Sequence, residues 1–169
     1  MPKVGLIAGN RKFPLLVAQE AKKRHYEVIA IGIRKDTLPF LEKIVDKIYW
    51  LNLADFEKIF EIFKKENIEE IIFAGQITPK RIFSREVQRS GALREFLDNI
   101  PDKRPTNIFG KIAKELEDRG FRVLDSTVFL KEHLPAKGVL TEIIPDFPAW
   151  EDIYFGLDVA RGISFLDVG

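Results

Sequence analysis

Short apolar runs alternate with segments of helical periodicity along most of this chain. The apolar runs are bounded by turn residues and predict β-strands at 3–8, 27–33, 47–51, 70–74 and 121–124. The spacing of apolar positions between them predicts helices at 14–24, 38–45, 55–66, 84–99 and 106–119. Alternating strands and helices are typical of βαβ units, so we predict an α/β fold with a mostly parallel sheet.

Single residues predict where several helices begin and end. Thr106 or Asn107 is expected to cap the helix at 106–119, and Gly120 to end it in a left-handed conformation. Pro148 is expected to open a last helix. The apolar stretch after Gly162 begins like a strand.

Composition excludes several classes of protein and of site. The 169 residues include no cysteine and only two histidines, which excludes disulfides, thiolate metal sites and a histidine-rich metal site. A net charge of +1 argues against nucleic acid as a partner. No segment is long and apolar enough for a membrane span or a signal peptide, so we expect a cytoplasmic protein. Abundant Lys, Glu, Ile and Phe resemble thermophile usage.

The turn after the first strand is the first candidate binding site. It consists of Gly9, Asn10, Arg11 and Lys12. Pro14 follows and is preset for the first turn of a helix, so this turn joins a strand end to a helix N-terminus, where anions bind. It lacks the further glycines of a G-x-G-x-x-G dinucleotide motif. We interpret it as a phosphate-facing loop; the alternative is an ordinary turn with two solvated cations.

A second candidate turn follows the strand at 70–74. Gly75 allows close backbone approach, and Gln76 and Thr78 offer neutral hydrogen bonds to a sugar or base, with Lys80 beyond them. The alternative is a tight turn with exposed polar side chains.

Asp125, Ser126 and Thr127 follow the last predicted strand and form the third candidate turn. They could bind a ribose or cap a short helix beginning at Val128. In a doubly wound sheet the three turns share one edge. Their donors suit a phosphorylated sugar or nucleotide, but no hydrolase or nucleotide-cleaving motif accompanies them.

Several segments in order resemble a known enzyme family. They include Gly-Leu-Ile-Ala-Gly at 5–9, Phe-Ala-Gly-Gln-Ile-Thr-Pro at 73–79 and Leu-Asp-Ser-Thr-Val-Phe-Leu at 124–130, followed by matches at 138–141, 151–153, 155–156 and 166–169. At these spacings the chain resembles the N-terminal part of the metal-dependent UDP-2,3-diacylglucosamine pyrophosphatases that are unrelated to calcineurin-like phosphoesterases.

The resemblance implies a function and its partners. Family members hydrolyse UDP-2,3-diacylglucosamine to UMP and 2,3-diacylglucosamine 1-phosphate in lipid A biosynthesis, with Mg²⁺ held by acidic residues of a C-terminal domain. It implies a Rossmann-like, mostly parallel twisted sheet with helices on both faces and a homodimer. The implied ligand is UDP-diacylglucosamine or its sugar phosphate product, and the lipid substrate implies peripheral association with a membrane. The alternatives are a stand-alone nucleotide-sugar or phosphate-binding module without catalysis, and an interaction domain.

The resemblance also predicts how the chain is divided. Residues 1–165 would form the Rossmann-like domain, and residues 166–169 the junction to an absent catalytic domain. One position departs from the family, which often has glycine where this chain has Arg11.

Overall fold

We describe the protein from a computed structural model. It describes residues 1–78, 81, 84, 87, 88, 90–102 and 104–166. The chain divides into two compact units, Met1–Glu132 and His133–Gly169. The domain boundary predicted at residue 165 stays a prediction.

The first unit is built on a five-stranded sheet in the order β3-β2-β1-β4-β5. The strands are β1 (Lys3–Ala8), β2 (Glu27–Ile33), β3 (Lys47–Leu51), β4 (Glu70–Ala74) and β5 (Arg122–Leu124). Every neighbouring pair is parallel. This confirms the predicted Rossmann-like sheet, with its strand order reversing between β1 and β4.

Five helices are described, together with three short 3₁₀ turns. The helices are α1 (Phe13–Lys23), α2 (Lys58–Lys65), α3 (Gly91–Asp98), α4 (Pro105–Asp118) and α5 (Phe147–Ser164). The 3₁₀ turns are Pro39–Lys43, Leu53–Asp55 and Lys131–His133. No helix in the described part of the chain is both long and apolar enough to cross a membrane.

Side-chain capping explains two differences from the predicted helices. The Ser90 hydroxyl accepts a hydrogen bond from the Leu93 backbone N–H at 3.3 Å, and α3 begins just after it rather than at residue 84. The Asp146 carboxylate accepts from the Ala149 N–H at 3.0 Å, so α5 begins one residue before Pro148. The strand-like stretch after Gly162 continues α5 to Ser164.

The remaining helix boundaries differ from the prediction at three places and agree with it at Gly120. The helix predicted at 38–45 is only a 3₁₀ turn, and the one predicted from residue 55 begins at Lys58, after a separate 3₁₀ turn. The predicted Thr106 or Asn107 cap is wrong, because α4 begins at Pro105 after an extended Arg104. Gly120 ends α4 with φ at +90°, as predicted.

Alternating strand residues bury two cores, one on each face of the sheet. Helices α2, α3 and α4 pack on the face that carries Ile29, Ile31 and Ile71. Helix α1 and the turn Pro39–Lys43 pack on the opposite face. The prediction of helices on both faces is therefore confirmed.

Candidate functional site

The turns after β1 and β4 lie side by side at the point where the strand order reverses. Ala8 pairs with Ala74, so Gly9 and Gly75 leave the sheet next to each other. The turn that begins at Asp125 follows β5 at the same edge, because β5 runs parallel to β4. The predicted common edge is confirmed, and such a reversal point is where open α/β sheets bind ligands.

Gly9 and Gly75 bring the two turns into direct backbone contact. The Gly9 N–H donates to the Ala74 carbonyl at 2.8 Å, and the Asn10 N–H donates to the Gln76 carbonyl at 2.7 Å. A Cβ on Gly9 would lie 2.4 Å from the Gln76 carbonyl oxygen. A Cβ on Gly75, whose φ is +84°, would lie 2.6 Å from the Asn10 carbonyl oxygen. The close approach predicted at Gly75 is therefore made by the neighbouring turn.

A hydrogen-bond network ties three strand ends together, and we call it the edge network: Asn10, Asp36, Thr78 and Arg81. Thr78 donates to Asp36 Oδ1 from its hydroxyl at 2.6 Å and its backbone N–H at 3.2 Å. Arg81 donates to Asp36 Oδ2 at 2.5 Å, and Asn10 Nδ2 donates to the Thr78 hydroxyl at 3.3 Å. The Asp36 side chain is fully buried, so its charge is neutralised inside the protein by Arg81.

Thr37 adds a direct link between β1 and the end of β2. Its hydroxyl accepts from the Ile33 N–H at 2.8 Å and donates to the Ala8 carbonyl. Sequence reasoning missed Asp36, Thr37 and Arg81. Asp36 and Thr37 could have been found from the sequence, because they are polar residues that follow β2 just as the predicted site residues follow β1, β4 and β5.

The cationic part of the first turn faces solvent. Arg11 and Lys12 are exposed, and neither forms an ion pair within the described residues. Arg11 has φ of +66°, a left-handed conformation that favours glycine. Lys12 is the N-cap of α1 without a side-chain cap. Pro14 has no N–H, and the Leu15 N–H donates to the Lys12 carbonyl at 3.0 Å, so the Phe13 N–H is the donor of the first turn that remains available to an anion.

Two further polar groups border this turn. Asn10 Oδ1 is buried and has no hydrogen-bond partner in the described structure. The Gln76 side chain is exposed beside it in the second turn. An unpaired acceptor next to exposed donors suits a ligand that carries both hydroxyl and phosphate groups.

The side chains of the third turn form hydrogen bonds within that turn. Asp125 Oδ1 accepts from the Thr127 hydroxyl and from the Thr127 N–H at 2.7 Å. These hydrogen bonds hold the pKa of the Asp125 carboxyl below its usual value. Residues 126–129 form a turn, so the short helix predicted at Val128 is wrong. Ser126 is half-buried in that turn, and the predicted site residue Lys80 lies outside the described residues.

The acidic groups of this edge do not fit a magnesium ion. Mg²⁺ needs oxygen ligands in an octahedral arrangement, usually with one or two free carboxylates. The Asp36 carboxylate is instead occupied by Thr78 and Arg81, and that of Asp125 by Thr127. The described residues contain no cluster of three or more histidine, aspartate or glutamate side chains placed to hold a metal.

Two solved structures are similar to part of this chain. UDP-glucose 4-epimerase from Thermotoga maritima matches with a TM-score of 0.47 and 15% identity, covering 73% of this chain and 37% of that one. The biotin carboxylase domain of the Hydrogenobacter thermophilus 2-oxoglutarate carboxylase matches with a TM-score of 0.46 and 14% identity, covering 76% of this chain and 24% of that one.

Sequence comparison gives a closer relation. The chain is 26% identical over 171 residues to the UDP-2,3-diacylglucosamine pyrophosphatase LpxI of Caulobacter vibrioides. The match covers all of this chain and 60% of that protein, so the chain spans less than two thirds of its relative. Residues 3–133 match the family described as LpxI N-terminal domain, and the chain therefore belongs to that family.

Proposed function

We propose that this chain is the substrate-binding part of a UDP-2,3-diacylglucosamine pyrophosphatase. The enzyme would hydrolyse UDP-2,3-diacylglucosamine to UMP and 2,3-diacylglucosamine 1-phosphate, in lipid A biosynthesis. The chain's own role would be to hold the phosphate-bearing part of the substrate at the edge formed by β1 and β4. Family membership supports this role, as does the activity named for the relative from Caulobacter vibrioides.

One observation carries the proposal. Arg11 and Lys12 are exposed at the N-terminus of α1, directly beside the edge network. Two cations and a helix N-terminus attract phosphate, and the network fixes the backbone from which they project. Asn10 Oδ1 and the exposed Gln76 side chain can then orient the sugar or base through neutral hydrogen bonds.

In this proposal the described residues bind the substrate, and they include no cluster of acidic or histidine side chains that could hold a catalytic metal. Hydrolysis of a pyrophosphate needs an activated water and stabilisation of the leaving phosphate, usually by a metal ion. Mg²⁺ does not fit the carboxylates of this edge, so no step is assigned to them. We propose that a part of the enzyme beyond this chain provides the metal ligands.

Other expectations, from the composition and from the resemblance, stay predictions for this chain. These are the homodimer, the cytoplasmic location, contact with a membrane through the lipid substrate, and a thermophilic source. The stand-alone phosphate or nucleotide-sugar module remains the alternative, favoured by the same lack of a metal cluster among the described residues.

Alanine substitution of the two cations tests the site. We expect R11A/K12A to weaken the binding of UDP-glucose, measured by isothermal titration calorimetry. Lost charge-assisted hydrogen bonds of about 1.5–3 kcal/mol correspond to a loss of about 10- to 150-fold in affinity. Because both side chains are exposed, the free energy of unfolding should change by less than about 0.5 kcal/mol.

The matched control is K64A/K65A, which removes two exposed cations from the end of α2. It should leave the affinity unchanged. An equal loss of affinity in both double variants would assign the effect to net charge and contradict the proposed site. Unchanged affinity in R11A/K12A together with a lowered melting temperature would show that the first turn is structural.

A further inference from the structure

An apolar crevice lies beside the proposed site. Its walls come from the turn Leu53–Asp55, from the loop after β4, and from α3 and α4. Leu53, Ile77, Phe96, Phe109 and Ile112 are among the residues that line it, and every described lining residue is apolar. Such a space has no hydrogen-bond partners for water and favours an apolar occupant.

The loop after β4 places this crevice next to the phosphate-binding edge. Thr78 belongs to the edge network, and the Gln76 carbonyl accepts a hydrogen bond from Asn10. Ile77, the residue between them, lines the crevice. One short loop therefore presents polar groups to the first turn and an apolar side chain to the crevice.

We propose that the crevice binds the end of an acyl chain of the ligand whose phosphate is held at the first turn. This inference rests on the proposed function, because the relative from Caulobacter vibrioides is named for a diacylated UDP-sugar. An acyl chain is the one part of such a ligand that an apolar crevice would hold, since its sugar and phosphates need polar partners.

The size of the crevice limits what it can hold. Its volume is about 60 Å³. At about 10–15 Å³ of such volume per water molecule, it has room for about four to six waters or a similar number of methylene groups. Phe109 is 36% exposed, so the crevice wall reaches the surface there. The crevice therefore fits the last few carbons of a chain that enters from solvent.

A series of n-alkyl phosphates, from butyl to decyl, tests this inference on the full chain. Binding is measured by calorimetry below the concentration at which each compound forms micelles. We expect affinity to rise about fourfold for each methylene that enters the crevice, and to level off once the crevice is full. An affinity that does not depend on chain length would overturn the proposal.

Substitutions that fill the crevice provide the structural test. I112F adds volume to its α4 wall and should remove the dependence on chain length. L53F fills the crevice from the turn Leu53–Asp55 instead. With two filling variants, the test can still be made if one of them folds poorly. The control is I62F, an equivalent change on a half-buried residue of the same core that does not line the crevice. Chain-length dependence that persists in the folded filling variants, or that is lost equally in I62F, would contradict the inference.

Binding of UDP tests the proposed phosphate site without the crevice, because UDP carries phosphates but no acyl chain. If I112F binds UDP as the unmodified protein does but loses the dependence of alkyl phosphate affinity on chain length, both the phosphate site and the acyl-chain crevice are supported. Failure of UDP to bind the unmodified protein would contradict the nucleotide site. The crevice would still be supported if alkyl phosphates retained a chain-length dependence that I112F removes.

Discussion

At the scale of single residues, Gly9 and Gly75 are required by the contact between two turns. We expect G75A to lower the free energy of unfolding by about 2 kcal/mol or more, because alanine would overlap the Asn10 carbonyl and also be held at a positive φ. G9A should be comparably damaging, since its Cβ would meet the Gln76 backbone. Urea unfolding followed by circular dichroism measures both effects.

Gly110 provides the control for this prediction. It lies in α4, and a Cβ there would meet nothing within 4 Å. G110A should leave stability unchanged or raise it by up to about 1 kcal/mol, because alanine favours helix more than glycine does. A destabilisation in G110A as large as that in G75A would show that the cost is not specific to the turn contact.

Arg11 shows how one residue can depart from a family pattern and keep its backbone. Its φ of +66° lies in the region where glycine is favoured, which agrees with the expectation from the resemblance that family members often have glycine at this position. The turn therefore keeps a glycine-like conformation while carrying an exposed cation. We expect this side chain to distinguish the first turn of this protein from that of relatives with glycine at this position.

At the scale of elements, the Asp36–Arg81 ion pair joins the end of β2 to the segment after β4. Because the Asp36 side chain is fully buried, D36A should destabilise the protein by about 3–5 kcal/mol by removing the carboxylate that accepts from Arg81 and Thr78. Thermal and urea unfolding measure this loss. D118A, which breaks an exposed ion pair with Lys114 on α4, should cost less than about 1 kcal/mol. Equal losses in the two variants would argue against the edge network as a structural link.

Asp46 links α1 to β2 through hydrogen bonds, and we expect its ionisation to make the stability of the protein depend on pH. Burial acts to raise the pKa of Asp46, but hydrogen bonds from Lys22 at 2.5 Å and from the Val28 N–H at 2.8 Å outweigh it and hold the pKa below its usual value. A lowered carboxyl pKa in the folded state stabilises the protein above the unfolded value of about 3.9. That stabilisation is lost as the pH falls through the folded-state pKa.

D46N tests this link. The variant should melt at a lower temperature than the unmodified protein at pH 7, and the difference should shrink as the pH is lowered below about 4. D152N, a change at an exposed position of α5, serves as the control and should show no such convergence. A difference in melting temperature that stays constant from pH 7 to pH 3 would contradict the assignment to Asp46.

At the scale of the whole molecule, the proposed binding edge is not accompanied by a metal-binding cluster among the described residues. We expect the 169-residue chain to release no UMP from UDP-2,3-diacylglucosamine above the uncatalysed rate, even with Mg²⁺. The assay is chromatographic detection of UMP, with the full-length Caulobacter vibrioides relative as the positive control. Clear metal-dependent release of UMP by this chain would show that it contains its own catalytic groups.

The two compact units differ in how much apolar surface they bury. The buried hydrophobic residues of both cores lie between Val4 and Leu130, within Met1–Glu132. In the second unit, α5 has no buried residue, and Phe155 is 71% exposed. The first unit therefore contains the whole described hydrophobic core, and it coincides closely with residues 3–133 matched by the family.

The local pattern of the sequence determined the elements of the sheet and their direction. Five apolar runs separated by helical segments predicted the five strands of the described residues and their parallel arrangement, because a buried strand leaves a continuous apolar run. The ends of those strands then predicted Gly9, Gly75 and Asp125 at one edge. Helix starts were predicted less well, since a cap such as Ser90 depends on a hydrogen bond formed only in the folded chain.

Only the tertiary structure decided which polar residues act together. Asp36 and Arg81 are 45 residues apart, and burial of their ion pair depends on β2, β1 and β4 lying side by side. Gly75 contacts Asn10 for the same reason, whereas Asp125 bonds within its own turn although it follows a strand at the same edge. Local periodicity determines elements, but contacts between distant segments depend on strand order and on the packing of whole elements.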